Sequence, residues 1–307
     1  MTASGDVIDH IQPFQIERPG LRGRLVRLGP AIDRILSGHD YPAPVAIALA
    51  EASAMGVVLA SGLKYDGIFT LQLQGDGPVG LMVVDVTSDG DLRGYARIDT
   101  DRLSQTVDSS KDIVPRLFGA GLMSFTVDQG PDTDRYQGIT PLEGATLAEC
   151  CHTYFRQSEQ LQTAICLCAS DMTAPASGGR RAAALMLQRL PPSGPVTPER
   201  SEREEDDWRR SVVLMSSVTD AELLAPQLSS ADILYRLFHE DGVRVYTQRP
   251  VRHRCRCSQS KVEHTLRAFP LAELRELLEE GVLRVSCEFC GAQYVFNEEA
   301  LRELTAS

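Results

Sequence analysis

The chain has 307 residues, 43% of them apolar, and a formal charge of −11. That length exceeds one ordinary compact core and suits a larger domain with one or two smaller ones. The acidic balance argues against broad nucleic-acid binding, which needs a cationic face, and no uninterrupted apolar run of roughly eighteen residues argues for a membrane span.

Residues 1–14 are polar and acidic, without a basic-then-apolar leader pattern, so a cytoplasmic location is expected. Eight cysteines in that compartment are expected as thiols, metal ligands or redox sensors, not as a permanent disulfide framework. Residues 1–190 read as one α+β domain in which antiparallel strands mix with helices. Helical patterns run over 44–59 and 142–163. Segments 68–73, 80–86 and 121–127 are short, β-branched and apolar, and are bounded by Gly, Asp and Pro. Turn signals such as Thr87-Ser88-Asp89-Gly90-Asp91 join successive strands. Gly75-Asp76-Gly77-Pro78 reads as a plain turn, since no glycine-rich phosphate loop and helix follow it. Cys150-Cys151-His152 falls in a helical stretch. Cys166 and Cys168 fall on one face of a strand-like run, 163–169. All four cysteines read as core residues, because free cysteine is among the most buried side chains.

Residues 191–207, PPSGPVTPERSEREEDD, combine proline, glycine, serine and dense charge with no apolar period, which predicts a solvated linker or long loop. Short amphipathic helices follow over 208–217, 220–225 and 231–239. In the last, Ile233, Leu234, Leu237 and Phe238 share a face, and Ser229 or Ser230 can cap its start. Helices this short must pack on something, and the first domain is the available surface. Residues 191–250 therefore form a charged loop and metastable helical linker.

Residues 251–307 form a small C-terminal zinc-binding domain. Cys255-Arg256-Cys257 is followed after 29 residues by Cys287-Glu288-Phe289-Cys290-Gly291. Two close pairs joined by a loop suit tetrahedral zinc, each pair supplying two sulfurs from one bend. Cys255, Cys257, Cys287 and Cys290 are the predicted ligands of one Zn2+ per chain in the reduced form. Four thiolates fill such a site and leave His253 and His264 outside it. Residues 262–269 and 271–280 look helical, the latter with a stripe of Leu271, Leu274, Leu277 and Leu278. Segments 282–285 and 293–296 form a hairpin around the second pair, and Gly291 fits a knuckle. Thiolates of such a site are open to peroxide. So small a core is marginal without metal.

With these residues in hand, the chain resembles the 33-kilodalton heat-shock protein family of bacterial redox-regulated holdase chaperones. The resemblance runs over nearly the whole length. It includes Arg22-Gly23-Arg24, His39-Asp40-Tyr41-Pro42, Arg93-Gly94-Tyr95-Ala96, Tyr136-Gln137-Gly138-Ile139 and Tyr154-Phe155-Arg156-Gln157-Ser158-Glu159-Gln160. It continues through Leu237-Phe238-His239-Glu240, Cys255-Arg256-Cys257-Ser258 and Cys287-Glu288-Phe289-Cys290-Gly291. Stretch 191–207 and the four additional cysteines depart from the pattern. The resemblance implies a stress-response chaperone that hydrolyses no nucleotide and binds unfolding client proteins. It implies an inactive reduced, zinc-bound state and an active oxidised state with disulfides Cys255–Cys257 and Cys287–Cys290, zinc released, and a tendency to homodimerise when active. No nucleic acid or membrane partner is expected, and no nucleophile–base arrangement for an enzyme stands out.

Two other classes share part of the signal. Arg252, Arg254 and Arg256 beside the cysteines suit a zinc-ribbon nucleic-acid protein, but residues 251–307 hold eight Lys/Arg against nine Asp/Glu. Cys287 and Cys290 suit a thiol–disulfide oxidoreductase, but the βαβ context is lacking.

Overall fold

The computed structural model describes residues 9–305 apart from 19, 104–111, 131, 132, 134, 160, 171, 173–178 and 190–196. By internal contacts the chain divides into two compact units, one of Met1–Leu36 with Tyr41–His253 and one of Ser37–Asp40 with Arg254–Ser307.

The larger unit contains β1 (His10–Ile16), β2 (Leu21–Leu28), α1 (Pro30–Ser37), α2 (Ala43–Ala60), β3 (Ile68–Gly75), β4 (Val79–Thr87) and β5 (Asp91–Ile98). Then come α3 (Thr100–Leu103), α4 (Ile113–Phe118), β6 (Gly121–Asp128), β7 (Tyr136–Pro141), α5 (Leu147–Tyr154), β8 (Thr163–Ala169) and β9 (Ala182–Arg189). It ends with α6 (Pro198–Ser216), α7 (Asp220–Leu224), α8 (Ser230–Phe238), β10 (Val243–Val245), β11 (Arg249–Pro250) and β12 (Arg252–His253). One sheet runs β10-β1-β2-β9-β8, with β11 also on β1, and the other runs β12-β5-β4-β3-β6-β7. Every strand pair is antiparallel except β12 with β5. The fold is α+β, as the sequence pattern indicated, and the strand-like segments at 68–73, 80–86 and 121–127 lie within β3, β4 and β6.

Helix α2 packs against strands of both sheets. It is long and apolar enough to cross a membrane by length and composition, yet 78% of it is buried inside the protein. That burial explains why it is apolar on nearly every side, with half-buried Glu51 its one ionisable residue. The sheet that holds β9 is covered on both faces. Ala182, Ala184 and Met186 join the α2 core, while Ala183, Leu185 and Leu187 join a second cluster with Phe14, Leu25, Met215, Leu223, Leu234 and Phe238. A strand buried on both faces reads as continuous apolar sequence, which is what AAALML is.

The second cluster is roofed by α6, α7 and α8, so the helices after residue 197 pack on the first domain's sheet. Polar side chains pin this roof. Arg27, on the same face of β2 as Leu25, donates to the carbonyls of Leu223 at 3.0 Å and Leu228 at 2.6 Å and also to that of Ala225. His10 pairs with Ser230 at 2.8 Å, and the Gln12 amide donates to the Tyr246 carbonyl at 2.6 Å. The Arg27 bonds to Leu223 and Ala225 satisfy carbonyls at the C-terminal end of α7, a helix of five residues with no stability of its own.

Two segments differ from the sequence-based expectation. Residues 197–207, expected as solvated loop, begin helix α6, while 191–196 lie outside the described residues. Thr197 caps the helix by accepting the Arg200 N–H, and Pro198 sits where a missing N–H costs nothing. Ion pairs Arg200–Glu204 at 2.7 Å and Glu205–Arg209 at 3.3 Å run one turn apart, and Arg189 of β9 reaches Glu204 at 2.9 Å and Glu205 at 3.3 Å. Charge spaced by one turn, docked to a strand arginine, replaces the missing apolar period.

The helix expected over 142–163 is also shorter. Thr146 caps α5 by accepting the Glu149 N–H at 3.2 Å, Tyr154 ends it, a π-helical turn spans Phe155–Glu159, and Thr163 already begins β8. Within α5 the His152 Nε2 accepts the Ile165 N–H at 2.9 Å, which requires a neutral ring. Burial first, then Arg156, holds its pKa below the ordinary 6.5, against the opposing pull of Glu149. As pH falls below 6.5 the unfolded chain binds a proton that the folded one refuses, so stability declines until the lower folded pKa is reached. His152→Gln, which keeps an acceptor, is therefore expected to lose less urea stability than the parent between pH 7.5 and 5.5. An equal loss in both proteins would contradict this role.

Candidate metal centre

The smaller unit contains α9 (Gln259–Leu266), α10 (Leu271–Glu276), β13 (Val282–Ser286), β14 (Gln293–Asn297) and α11 (Glu298–Thr305). Ser258 caps α9 by accepting the Lys261 N–H at 3.3 Å. The hairpin is the one the sequence indicated, with Val282 opposite Asn297 and Ser286 opposite Gln293. The expected leucine stripe is only partly right. Leu274 is buried and Leu271 and Leu278 pack at the margin, but α10 stops at Glu276 and leaves Leu277 60% exposed. Helix α11, with buried Leu301, was missed. The fully assembled core is five side chains: Leu266, Leu274, Leu283, Phe296 and Leu301.

The four cysteines converge. Cys255 and Cys257 lie on the irregular segment before α9, and Cys287 and Cys290 on the bend between β13 and β14. Their Sγ atoms all lie within 4.8 Å of one another, with Cys255 to Cys287 at 3.7 Å and Cys257 to Cys290 at 3.5 Å. Sulfurs about 2.3 Å from one tetrahedral zinc would stand about 3.8 Å apart, close to both spacings. A disulfide would hold two sulfurs about 2.05 Å apart, so these are free thiols. The donor set and its spacing fit zinc.

The bend itself is a hydrogen-bonded knuckle. The Gly291 N–H donates to the Cys287 carbonyl at 2.8 Å, and the Cys287 N–H donates to the Ala292 carbonyl at 2.8 Å. Gly291 sits at φ 69°, where any side chain is strained. Gly38 lies against the same bend: a Cβ there would meet the Cys290 carbonyl oxygen at 2.9 Å.

Electrostatics distinguish the four sulfurs. Burial alone would raise the Cys255 thiol, but hydrogen bonds from the Cys257 N–H and from its three neighbouring thiols bring it down to about 7. Burial raises Cys287, and burial with the neighbouring sulfurs pushes Cys290 up to about 12. Tyr294 is also raised to about 12, chiefly by its hydrogen bond to Cys257. One sulfur thus ionises readily, and its charge opposes the next. A divalent cation reverses that opposition and favours all four thiolates.

Among the described residues these four form the only cluster of His, Cys, Asp or Glu poised for a metal, and neither His253 nor His264 is in it. Cys150 and Cys151 are buried in the α2 core, and Cys166 and Cys168 lie on one face of β8 in the second cluster, with Cys166 at its margin. The sequence reading overlooked Gly38 and Tyr294. Gly38 carries no signal because its partner lies far along the chain, whereas Tyr294 follows from its place on the hairpin beside the bend.

A family model described as "Hsp33 protein" matches residues 9–297. The "33 kDa chaperonin" of Caulobacter vibrioides is 39% identical over 293 residues, covering 95% of each chain. That of Nitrosococcus oceani is 36% identical over 301 residues, covering 96% of this chain and 94% of its own. A crystal structure of the 33 kDa chaperonin (heat shock protein 33 homolog) from Thermotoga maritima superposes with a TM-score of 0.79 at 21% identity, covering 98% of both chains, and shows the shared fold. Matched along nearly its whole length, with its four C-terminal cysteines gathered at one point, the chain belongs to the Hsp33 family of chaperones.

Proposed function

We propose that this chaperone is an ATP-independent holdase of the cytoplasm, switched by redox state, that binds unfolded or oxidatively damaged proteins and keeps them from aggregating. Reduced, its Cys255, Cys257, Cys287 and Cys290 hold one zinc ion and the protein is inactive. Oxidised, the thiols close as Cys255–Cys257 and Cys287–Cys290, zinc is released, and the active form is a homodimer. The working division is a core domain of 1–190, a charged and helical linker of 191–250, and a switch domain of 251–307. We read no catalytic role into any residue.

The observation that carries this reading is the gathering of four sulfurs within 4.8 Å in a unit whose core is five side chains. Zinc supplies such a unit with apparent binding energy of about 10–16 kcal/mol. That exceeds the stability of a small domain, so withdrawing the thiolates unfolds it. With zinc bound all four sulfurs are thiolates, the form that peroxide attacks. Proximity in the cage does not select the disulfide partners, because all four sulfurs are close. Chain length does: once the unit opens, a partner two or three residues away remains at hand, and one about thirty residues away disperses. The Cys255–Cys257 bridge spans one residue and needs a local bend, so it should be readily reduced.

The decisive experiment compares aggregation of a denatured test protein with reduced, zinc-loaded and with peroxide-oxidised samples. Suppression by the oxidised sample alone is expected, and peptide mapping should find Cys255–Cys257 and Cys287–Cys290. Mainly cross-pair bridges, or equal suppression in both states, would refute the switch. Insulin-reduction turnover would point to an oxidoreductase instead.

A further inference from the structure

The stretch Tyr154-Phe155-Arg156-Gln157-Ser158-Glu159-Gln160 takes no part in the metal centre. Its backbone leaves α5 in the π-helical turn Phe155–Glu159, a geometry that is rare overall and frequent at functional sites. Beside that turn, within the larger unit, lies a cavity of about 340 Å³, a size that suits a small-molecule site. Three parts of the chain line it. His152, Phe155 and Arg156 come from α5 and the turn, Gln162 and Thr163 from the entry to β8, and Trp208 from α6.

The polar groups of this lining divide into those already committed and those not. The Gln162 amide donates to Glu205 at 3.1 Å and accepts from Arg189 at 2.8 Å. The Thr163 hydroxyl donates to the Leu161 carbonyl at 3.4 Å and accepts from Gln188 at 3.5 Å. The neutral His152 ring accepts the Ile165 N–H at Nε2, which leaves its proton on Nδ1. Among the described residues, that Nδ1–H, the Trp208 indole N–H and the Arg156 guanidinium have no acceptor. The uncommitted side chains are therefore all donors, which calls for an anion.

The charge and shape of that anion follow from the neighbours. Glu204 and Glu205 hold Arg189, Arg200 and Arg209 in ion pairs, so those cations are spent. The Glu149 carboxylate accepts the Ala145 N–H at 2.7 Å and does not line the cavity. Arg156 is left as the one cation of the described lining. A single guanidinium matches the two oxygens of a carboxylate and leaves half the charge of a phosphate dianion unbalanced. Phe155 and Trp208 give the cavity aromatic walls, which favour a planar ring.

We propose that this cavity binds a small aromatic carboxylate, with the anion on Arg156 and the ring against Trp208. None of these residues belongs to the cysteine cluster, so the site is present in the reduced protein. Its occupant spans the turn after α5 and helix α6.

The test titrates the reduced, zinc-loaded, full-length chain into 4-fluorobenzoate and follows the line width by fluorine NMR. Saturable binding is expected, with displacement by unlabelled benzoate. Arg156→Ala should weaken it at least about tenfold, the low end for a hydrogen bond to a charged group. Arg244→Ala, which removes an exposed arginine paired with Glu17 on β10 and β1's far end, should leave it unchanged. Two further probes separate ring from charge. 4-Fluorobenzyl alcohol keeps the ring without the charge, and trifluoroacetate keeps the charge without the ring. Each should bind at least about fivefold more weakly than 4-fluorobenzoate. Should Arg156→Ala fail to fold by circular dichroism, the three probes on the parent decide. No saturable binding to the parent, affinity for either comparison probe equal to that for 4-fluorobenzoate, or unchanged affinity in folded Arg156→Ala would each overturn the proposal.

Discussion

Leu234→Glu is expected to suppress client aggregation while the protein is still reduced and still holds its zinc. Leu234 is 0% exposed and lies in the middle of the cluster between the first sheet and the helical roof. Truncating such a leucine typically costs about 2–5 kcal/mol, and a carboxylate there adds the penalty of an unpaired buried charge. Helices α7 and α8 of the roof are short, with 5 and 9 residues, so that loss falls on docking before it falls on the α2 core. Phe238→Ala, which removes the ring stacked on Phe14 at 5.9 Å, should act in the same direction. Leu237, on the same helical face in the sequence pattern, is only half-buried, and Leu237→Glu should do less. Light scattering with a denatured test protein, metal content and circular dichroism check the outcome together. A Leu234→Glu protein that is folded, zinc-loaded and inactive until oxidised would show that the roof is not the gate.

Cys257→Ser is expected to abolish stable zinc binding and to unfold the smaller unit. The serine leaves three thiolates, and a closed structural site needs four ligands. A metal contribution of about 10–16 kcal/mol is far more than five buried side chains can replace. Metal content should fall from one ion per chain to a small fraction, and limited proteolysis should then cut after residue 253 while the larger unit survives. Cys166→Ser should leave metal content unchanged. Retention of a full zinc equivalent by Cys257→Ser would remove that residue from the ligand set.

Legibility in the sequence followed the range of the interaction. The cysteine pairs announce themselves because each is local, and the fold back between them is short enough for spacing to carry the message. The β3, β4 and β6 strands were readable because apolar residues alternate between turn residues. Helix α6 was not, since its support comes from Arg189 on a different element and from charges one turn apart, and a charged run reads as solvated loop. The 142–163 stretch misled because its apolar residues span a helix, a π-turn and a strand with no proline between them. Arg27 gave no sign at all. Its partners lie some 200 positions away, at separations of 196, 198 and 201. A lone arginine in a strand resembles any surface cation until the carbonyls are in view.

Helix α6 also supplies the molecule with an optical reporter. The chain has one tryptophan, Trp208, and it sits on that helix, packed at the margin of the roofed cluster. Helix α6 is attached in two ways, by Met215 with Trp208, Val212 and Leu214 in the apolar cluster and by ion pairs of Glu204 and Glu205 with Arg189. Ionic attachment is screened by salt, whereas the apolar contacts of α8 are not. The colour of the indole's emission therefore reads the state of one helix without a label. Its shift with added salt separates the electrostatic hold on the roof from the hydrophobic one.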